Sequence, residues 1–204
     1  MIVDRQPAFR TSNIAVNLKF QEEARFQYQW KEKNAERYAC SKYFIIKEML
    51  YIFEFMKWIT REKAVIDRIA CPWLISRFID DNPEFIFVPA GEVMKDSREL
   101  SAIPFDVEGA ELNHYYEDGE ERVTFDAVMR KYKLSDPALK ELAKIVRAAD
   151  AHEAIAVPES PGLKSIAQGF RLISKNDNEN MDKQFPVYDA LYAYCKYNLE
   201  SRRK

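Results

Sequence analysis

The sequence predicts an α+β domain, a small mixed or antiparallel sheet packed against several helices. Three observations predict it. Short β-rich runs cluster between residues 57 and 123. Amphipathic helical patterns dominate from residue 124 onward. The two kinds of segment do not alternate as a βαβ series, which separates this class from a doubly wound sheet.

The elements follow in order. Lys57-Trp58-Ile59-Thr60-Arg61 reads as a short strand, and Phe85-Ile86-Phe87-Val88, bounded by Pro83 and Pro89, as a second. Ile103 to Val107 and Ala110 to Tyr116 read as extended. Asp118-Gly119 centres a turn that closes a hairpin onto Arg122-Val123. Thr124 is placed to cap a helix through about Tyr132. Ser135 or Asp136 caps the next, with Pro137 in its first turn and Leu139, Leu142, Ile145 and Val146 as its apolar stripe to about Ala149. Further helices are expected from Pro161-Gly162 to about Ser174 and from Pro186 to Asn198.

The chain changes character near Met56. Residues 1–55 contain no glycine and carry a small excess of basic side chains, whereas the remainder is net acidic. This N-terminal part reads as a helical extension outside the core domain of residues 56–204. Its charged stretch from Asn17 to Ala39 places Phe26 and Trp30 four residues apart, on one face.

Composition removes several functions. The chain of 204 residues has 31 Lys and Arg against 33 Asp and Glu, a net charge of −2. Binding of nucleic acid through bulk charge is therefore excluded. Five glycines, with neither GxGxxG nor GxxxxGK[ST], leave no phosphate loop. The cysteines Cys40, Cys71 and Cys195 form no CxxC pair, so neither a disulfide framework nor a cysteine-rich zinc module is expected. Met1 to Phe20 lacks the apolar core of a signal peptide. The apolar window Tyr43 to Met56 is short and interrupted by Lys47, Glu48 and Glu54. A cytoplasmic protein with reduced thiols, without membrane contact and without a cofactor, is the expectation.

The segment Asp67 to Asp80 carries the most chemistry. With Pro72 at the first helical position, Cys71 becomes the cap of a helix over 72–80. The free N–H groups at that end, with Arg68 beside them, suit a small anion. Cys71 there would have a lowered thiol pKa and be a reactive thiol. The competing geometry starts the helix at Asp67 and kinks it at Pro72, which weakens the dipole argument. Arg61 and Arg77 are further cationic candidates, since guanidinium matches oxyanions in fork geometry. Arg61 would converge with Arg68 through the intervening turn. His114 and His152 are the two histidines. A mixed metal site of His114 with Glu111, Asp106 or Asp150 remains open, as do a hydrogen-bonding or anion-binding imidazole and a Cys71–His114 pair. Asp189, in an aromatic helical run, is placed to hold an arginine.

Taken together, these residues resemble a known family. Lys57 to Arg61, the run Asp67-Arg68-Ile69-Ala70-Cys71-Pro72-Trp73-Leu74-Ile75, and Arg77-Phe78-Ile79-Asp80 look like the opening of the chromate-resistance domain at the C-terminal end of ChrB-type proteins. Val88-Pro89-Ala90, Ile103-Pro104-Phe105-Asp106, Glu111-Leu112 with His114, and Phe125-Asp126 follow in the same order. So do Ile145-Val146-Arg147 with Ala149-Asp150, and Tyr188-Asp189-Ala190-Leu191-Tyr192. The resemblance implies a part in chromate resistance. Larger members have a separate N-terminal half and are thought to be chromate-responsive regulators of an efflux transporter. Residues 1–55 do not look like that half, so no nucleic-acid partner is expected of this chain alone. Where members often carry a Cys before the Phe-Asp pair, this chain has Thr124.

Chromate is a small tetrahedral dianion, and Arg61, Arg68 and His114 are residue types that hold one. The leading expectation is a sensor or accessory module with chromate or a related oxyanion as its partner. The alternatives are a thiol-dependent reductase using Cys71, a metal-dependent hydrolase using His114 with carboxylates, and a domain whose motif residues only hold the fold.

Overall fold

A computed structural model describes residues 56–152 and 157–202. The helix expected over 17–39, with its Phe26–Trp30 pair, lies outside the described residues, as does the rest of segment 1–55. The described residues belong to one compact unit, Phe55–Lys204.

The fold is α+β. Strand β1 (Lys57–Arg61) is followed by helix α1 (Asp67–Phe78), strand β2 (Glu84–Val88), helix α2 (Val93–Glu99) and strand β3 (Ile103–Pro104). The three strands form a parallel sheet in the order β2-β1-β3, with Ile59 opposite Ile86 on one side and Pro104 on the other. The central strand is covered on both faces, so Trp58, Ile59 and Thr60 are all buried. Trp58 enters the main core. Ile59 joins Val93, Ala102 and Val107 in a small second cluster under α2.

This unit alternates strand and helix, contrary to the sequence expectation. The reason is α2, a seven-residue helix with two buried positions, Val93 and Ser97, too short to leave an apolar period. The antiparallel part is a separate hairpin of β4 (Tyr115–Glu117) and β5 (Glu120–Arg122). Asp118 and Gly119 both take positive φ in its turn, as a two-residue hairpin loop of type I′ requires.

Four helices complete the domain: α3 (Thr124–Lys131), α4 (Pro137–Asp150), α5 (Ser160–Ile173) and α6 (Asp177–Ser201). Asp136 caps α4, accepting from the N–H groups of Ala138 and Leu139, with Pro137 in the first turn. Thr124 is the first helical residue of α3 rather than its cap, and Asp126 accepts from the N–H of Val123.

Two prolines were expected to start helices and do not. Helix α1 begins at Asp67, five residues before Pro72, and α6 begins at Asp177, ahead of Pro186. A proline inside a helix leaves the carbonyl four residues earlier without an N–H donor. Tertiary contacts outweigh that loss here. Residues Ile69 to Ile75 of α1 are all buried, so the helix runs through the core. The start of α6 is fixed by Asn176, which accepts from the N–H of Glu179.

The long α6 also fixes the loop between β1 and α1. Asp177 accepts from the N–H groups of Lys63 and Ala64 at 2.9 and 2.7 Å. Asn180 donates to the Ala64 carbonyl and the Tyr188 hydroxyl to the Ile66 carbonyl. Further along, Asp189 accepts from the Trp73 indole and from Arg77, joining α6 to α1. These bonds hold Ile66 at φ 29°, from which Asp67 enters its helix.

Candidate functional site

Parallel strands end at one edge of the sheet, and ligands in such sheets bind beyond the carboxyl ends of the strands. Arg61 is the last residue of β1. Asp106 lies two residues beyond β3, where the Phe105 N–H still donates to the Ile59 carbonyl. Asp106 has φ 52°, a left-handed conformation that Asp tolerates better than most side chains. Its turn aims the carboxylate back across the sheet edge.

Asp106 is the centre of the cluster. Arg61 Nη2 and Arg68 Nη1 both donate to its Oδ2, at 2.9 and 3.0 Å, and Arg61 Nε donates to its backbone carbonyl at 2.9 Å. The Thr124 hydroxyl donates to its Oδ1 at 3.1 Å. Arg68, the second residue of α1, also reaches the Lys63 carbonyl. Its side chain is 14% exposed, against 39% for Arg61, so Arg61 forms the rim and Arg68 the floor.

Asp67, beside Arg68, is 1% exposed and accepts from the N–H groups of Thr124 and Phe125 at the start of α3. A carboxylate suits the positive end of a helix. His114 directly precedes β4. Its Nδ1 lies 3.0 Å from Glu121 Oε1, and Glu121 also accepts from the N–H of His152. Its Nε2 faces three carboxylates: Asp150 at 3.3 Å, and Asp67 and Asp106 at 3.6 Å each. Behind them Arg147 makes a two-pronged ion pair with Asp126 at 2.9 and 2.7 Å.

The crowding of carboxylates moves the titrations. The Asp150 carboxylate, then Glu121, Asp67 and Asp106, push the His114 imidazole up to about 10 against the opposing effect of burial. Burial, reinforced by Asp150 and Asp106 and opposed by His114, raises Asp67 well above the usual carboxylate range.

Of the residues singled out from the sequence, Arg61, Arg68, His114, Asp106 and Asp150 lie together. Glu111 does not: it is exposed and pairs with Lys131. Cys71 does not either. It sits inside α1, fully buried, and burial followed by the nearby aspartates raises its thiol pKa, the reverse of the lowering expected at a helix end. A buried neutral thiol of this kind packs as a small apolar residue. Arg77 is committed to Asp189 on the far side of α1. The reading from sequence missed Asp67 and Glu121. Asp67 is the first residue of a helix buried along most of its length, and is itself buried. Glu121 carried no local signal.

Fold and site together define an α+β domain with a buried carboxylate–imidazole cluster at the carboxyl ends of a short parallel sheet. The family described as ChrB, C-terminal domain matches residues 58–195, and the chain belongs to that family. Among curated relatives, Protein ChrB of Cupriavidus metallidurans is 30% identical over 141 residues, covering 68% of this chain and 40% of that protein. No solved structure matches the chain. Among the described residues, no helix is long and apolar enough to cross a membrane.

Proposed function

We propose that this domain binds chromate, or a closely related tetrahedral oxyanion, at the Arg61–Arg68 pair, and that it serves chromate resistance as a cytoplasmic sensing module that regulates or assists efflux. The observation that supports this reading most is the convergence of both guanidinium groups on one oxygen of Asp106. Asp106 is an internal anion occupying the position an external one would take. An oxyanion competes with it for the same N–H donors, and exchange of one for the other converts ligand concentration into a local rearrangement. Arg61 at the rim gives access from solvent. Arg68 Nε supplies a buried donor that has no hydrogen-bond partner among the described residues.

Family membership supports chromate as the anion to try first. A hydrogen bond to a charged group contributes about 1.5–3 kcal/mol. Arg68→Ala is therefore expected to weaken chromate binding by about tenfold or more in calorimetric titration of the full chain, with sulfate as a control for shape. Circular dichroism establishes that the variant is folded. Unchanged chromate affinity in both Arg68→Ala and Arg61→Ala would contradict the reading.

A further inference from the structure

We infer that Asp67, Asp106 and His114 form a binding site for one divalent metal cation, with Glu121 as the residue that orients His114. The inference does not depend on the oxyanion reading.

The first argument is spacing. An imidazole nitrogen that hydrogen-bonds a carboxylate lies about 2.7–3.2 Å from it. His114 Nε2 stands 3.6 Å from Asp67 Oδ2, 3.6 Å from Asp106 Oδ1 and 3.3 Å from Asp150 Oδ2. One N–H cannot satisfy three acceptors, and two of these separations are too long for a hydrogen bond. They suit ligands sharing one ion, because bonds of about 2.1 Å to a common centre put tetrahedral ligand atoms about 3.4 Å apart. Ligand atoms of Asp67, Asp106 and His114 all lie within 4.8 Å of one another.

The second argument is the surroundings of each ligand. Metal-binding imidazoles are typically fixed by a carboxylate on the other ring nitrogen, and metal-binding carboxylates are themselves hydrogen-bonded. Glu121 holds His114 Nδ1 at 3.0 Å, which leaves Nε2 for the ion. Thr124 and the two arginines hold Asp106, and the N–H groups of Thr124 and Phe125 hold Asp67. Asp150, the last residue of α4, lies 3.3 Å from His114 Nε2 and stands beside this ligand set rather than within it.

Charge gives a third. Asp67, Asp106, Asp150 and Glu121 surround His114, and Arg61 and Arg68 pair with Asp106, so the cluster holds four carboxylates and two guanidinium groups. One divalent cation with a neutral imidazole balances the remainder. One nitrogen and two carboxylate oxygen donors, without a thiolate, favour a first-row ion such as Mn²⁺, Fe²⁺, Co²⁺ or Zn²⁺ over Cu⁺.

The test is calorimetric titration of the chelator-treated full chain with Zn²⁺ and, separately, Mn²⁺, in buffer free of oxyanions. One ion per chain is expected for at least one of them. His114→Gln and Asp67→Asn should each lower affinity at least tenfold. Glu121→Gln should lower it about 10- to 100-fold although it never touches the ion. Glu111→Gln, outside the cluster, should match wild type. Asp67→Asn keeps the shape of the buried side chain, so it keeps the test decisive if His114→Gln fails to fold. Failure of wild type to take up either ion, or equal affinity in folded Asp67→Asn, overturns the inference. Because no chromate is present, a negative chromate experiment has no bearing on this result.

Discussion

Replacing Trp73 by Ala is expected to lower the stability of the domain by about 3–5 kcal/mol, the range for removing a buried Trp. Trp73 is 1% exposed and is the aromatic centre of the α1–α6 contact. Its ring meets Phe78, Tyr188 and Tyr192 at centroid distances of 5.7, 6.0 and 5.8 Å. Its indole N–H donates to Asp189 at 2.8 Å. Truncation leaves a cavity that cannot collapse, because α1 is buried along most of its length and α6 is tied to the loop before it. At about 2–4 °C per kcal/mol for a domain of this size, the melting temperature should fall by roughly 6–20 °C. Trp73→Phe keeps one aromatic ring but removes the rest of the indole with its N–H, so its loss should be smaller than that of Trp73→Ala. Thermal unfolding followed by circular dichroism separates the two. A loss below about 1 kcal/mol in Trp73→Ala would mean that the two helices are not held together in this way.

Asp67→Asn should do the opposite to stability while damaging the proposed cation site. The ionised carboxylate is buried beside Asp150 and Asp106, and both raise its pKa. An ionised group under those conditions costs free energy at neutral pH, and an amide of the same shape does not. Asn retains an oxygen to accept from the Thr124 N–H and gains an N–H to direct at a neighbouring carboxylate. The variant is therefore expected to be at least as stable as wild type while losing at least tenfold in Zn²⁺ or Mn²⁺ affinity. This is the pattern of a group retained for function at a cost in stability. Marked destabilisation together with wild-type cation affinity would show that Asp67 is a structural cap for α3.

The local parts of this fold were legible in the sequence. Lys57–Arg61, the Asp118-Gly119 turn and the Asp136 cap each follow from a few adjacent residues with strong preferences. What failed was local reasoning about residues whose environment is distant. Pro72 and Pro186 read as helix starts because an isolated helix avoids internal proline. Burial of Ile69 to Ile75 and the contacts of α6 with residues 63–66 override that preference. The site divides in the same manner. Arg61, Arg68 and His114 are residue types that announce ionic chemistry, so their grouping could be expected from sequence. Asp106 and Glu121 meet them only through the parallel pairing of β1 with β3 and the closing of the β4–β5 hairpin, and Asp67 turns inward only because α1 is buried. No spacing along the chain encodes that meeting. Cys71 illustrates the reverse error, since a reactive thiol was inferred from a helix boundary that the fold does not use.

The two proposed ligands also fit one another. A cation that engages Asp106 withdraws its charge from Arg61 and Arg68, which makes the pair more available to an incoming oxyanion in a pocket otherwise rich in carboxylates. The common element of both is that Arg61 and Arg68 act as one unit around Asp106. A double-mutant cycle on chromate affinity tests this most directly, using wild type, Arg61→Ala, Arg68→Ala and the double variant in calorimetric titrations under one salt condition. Residues that share a partner are coupled by about 0.5–3 kcal/mol. The double variant is therefore expected to lose clearly less than the sum of the two single losses. Strictly additive losses, or chromate affinity untouched by either substitution, would contradict a shared oxyanion site.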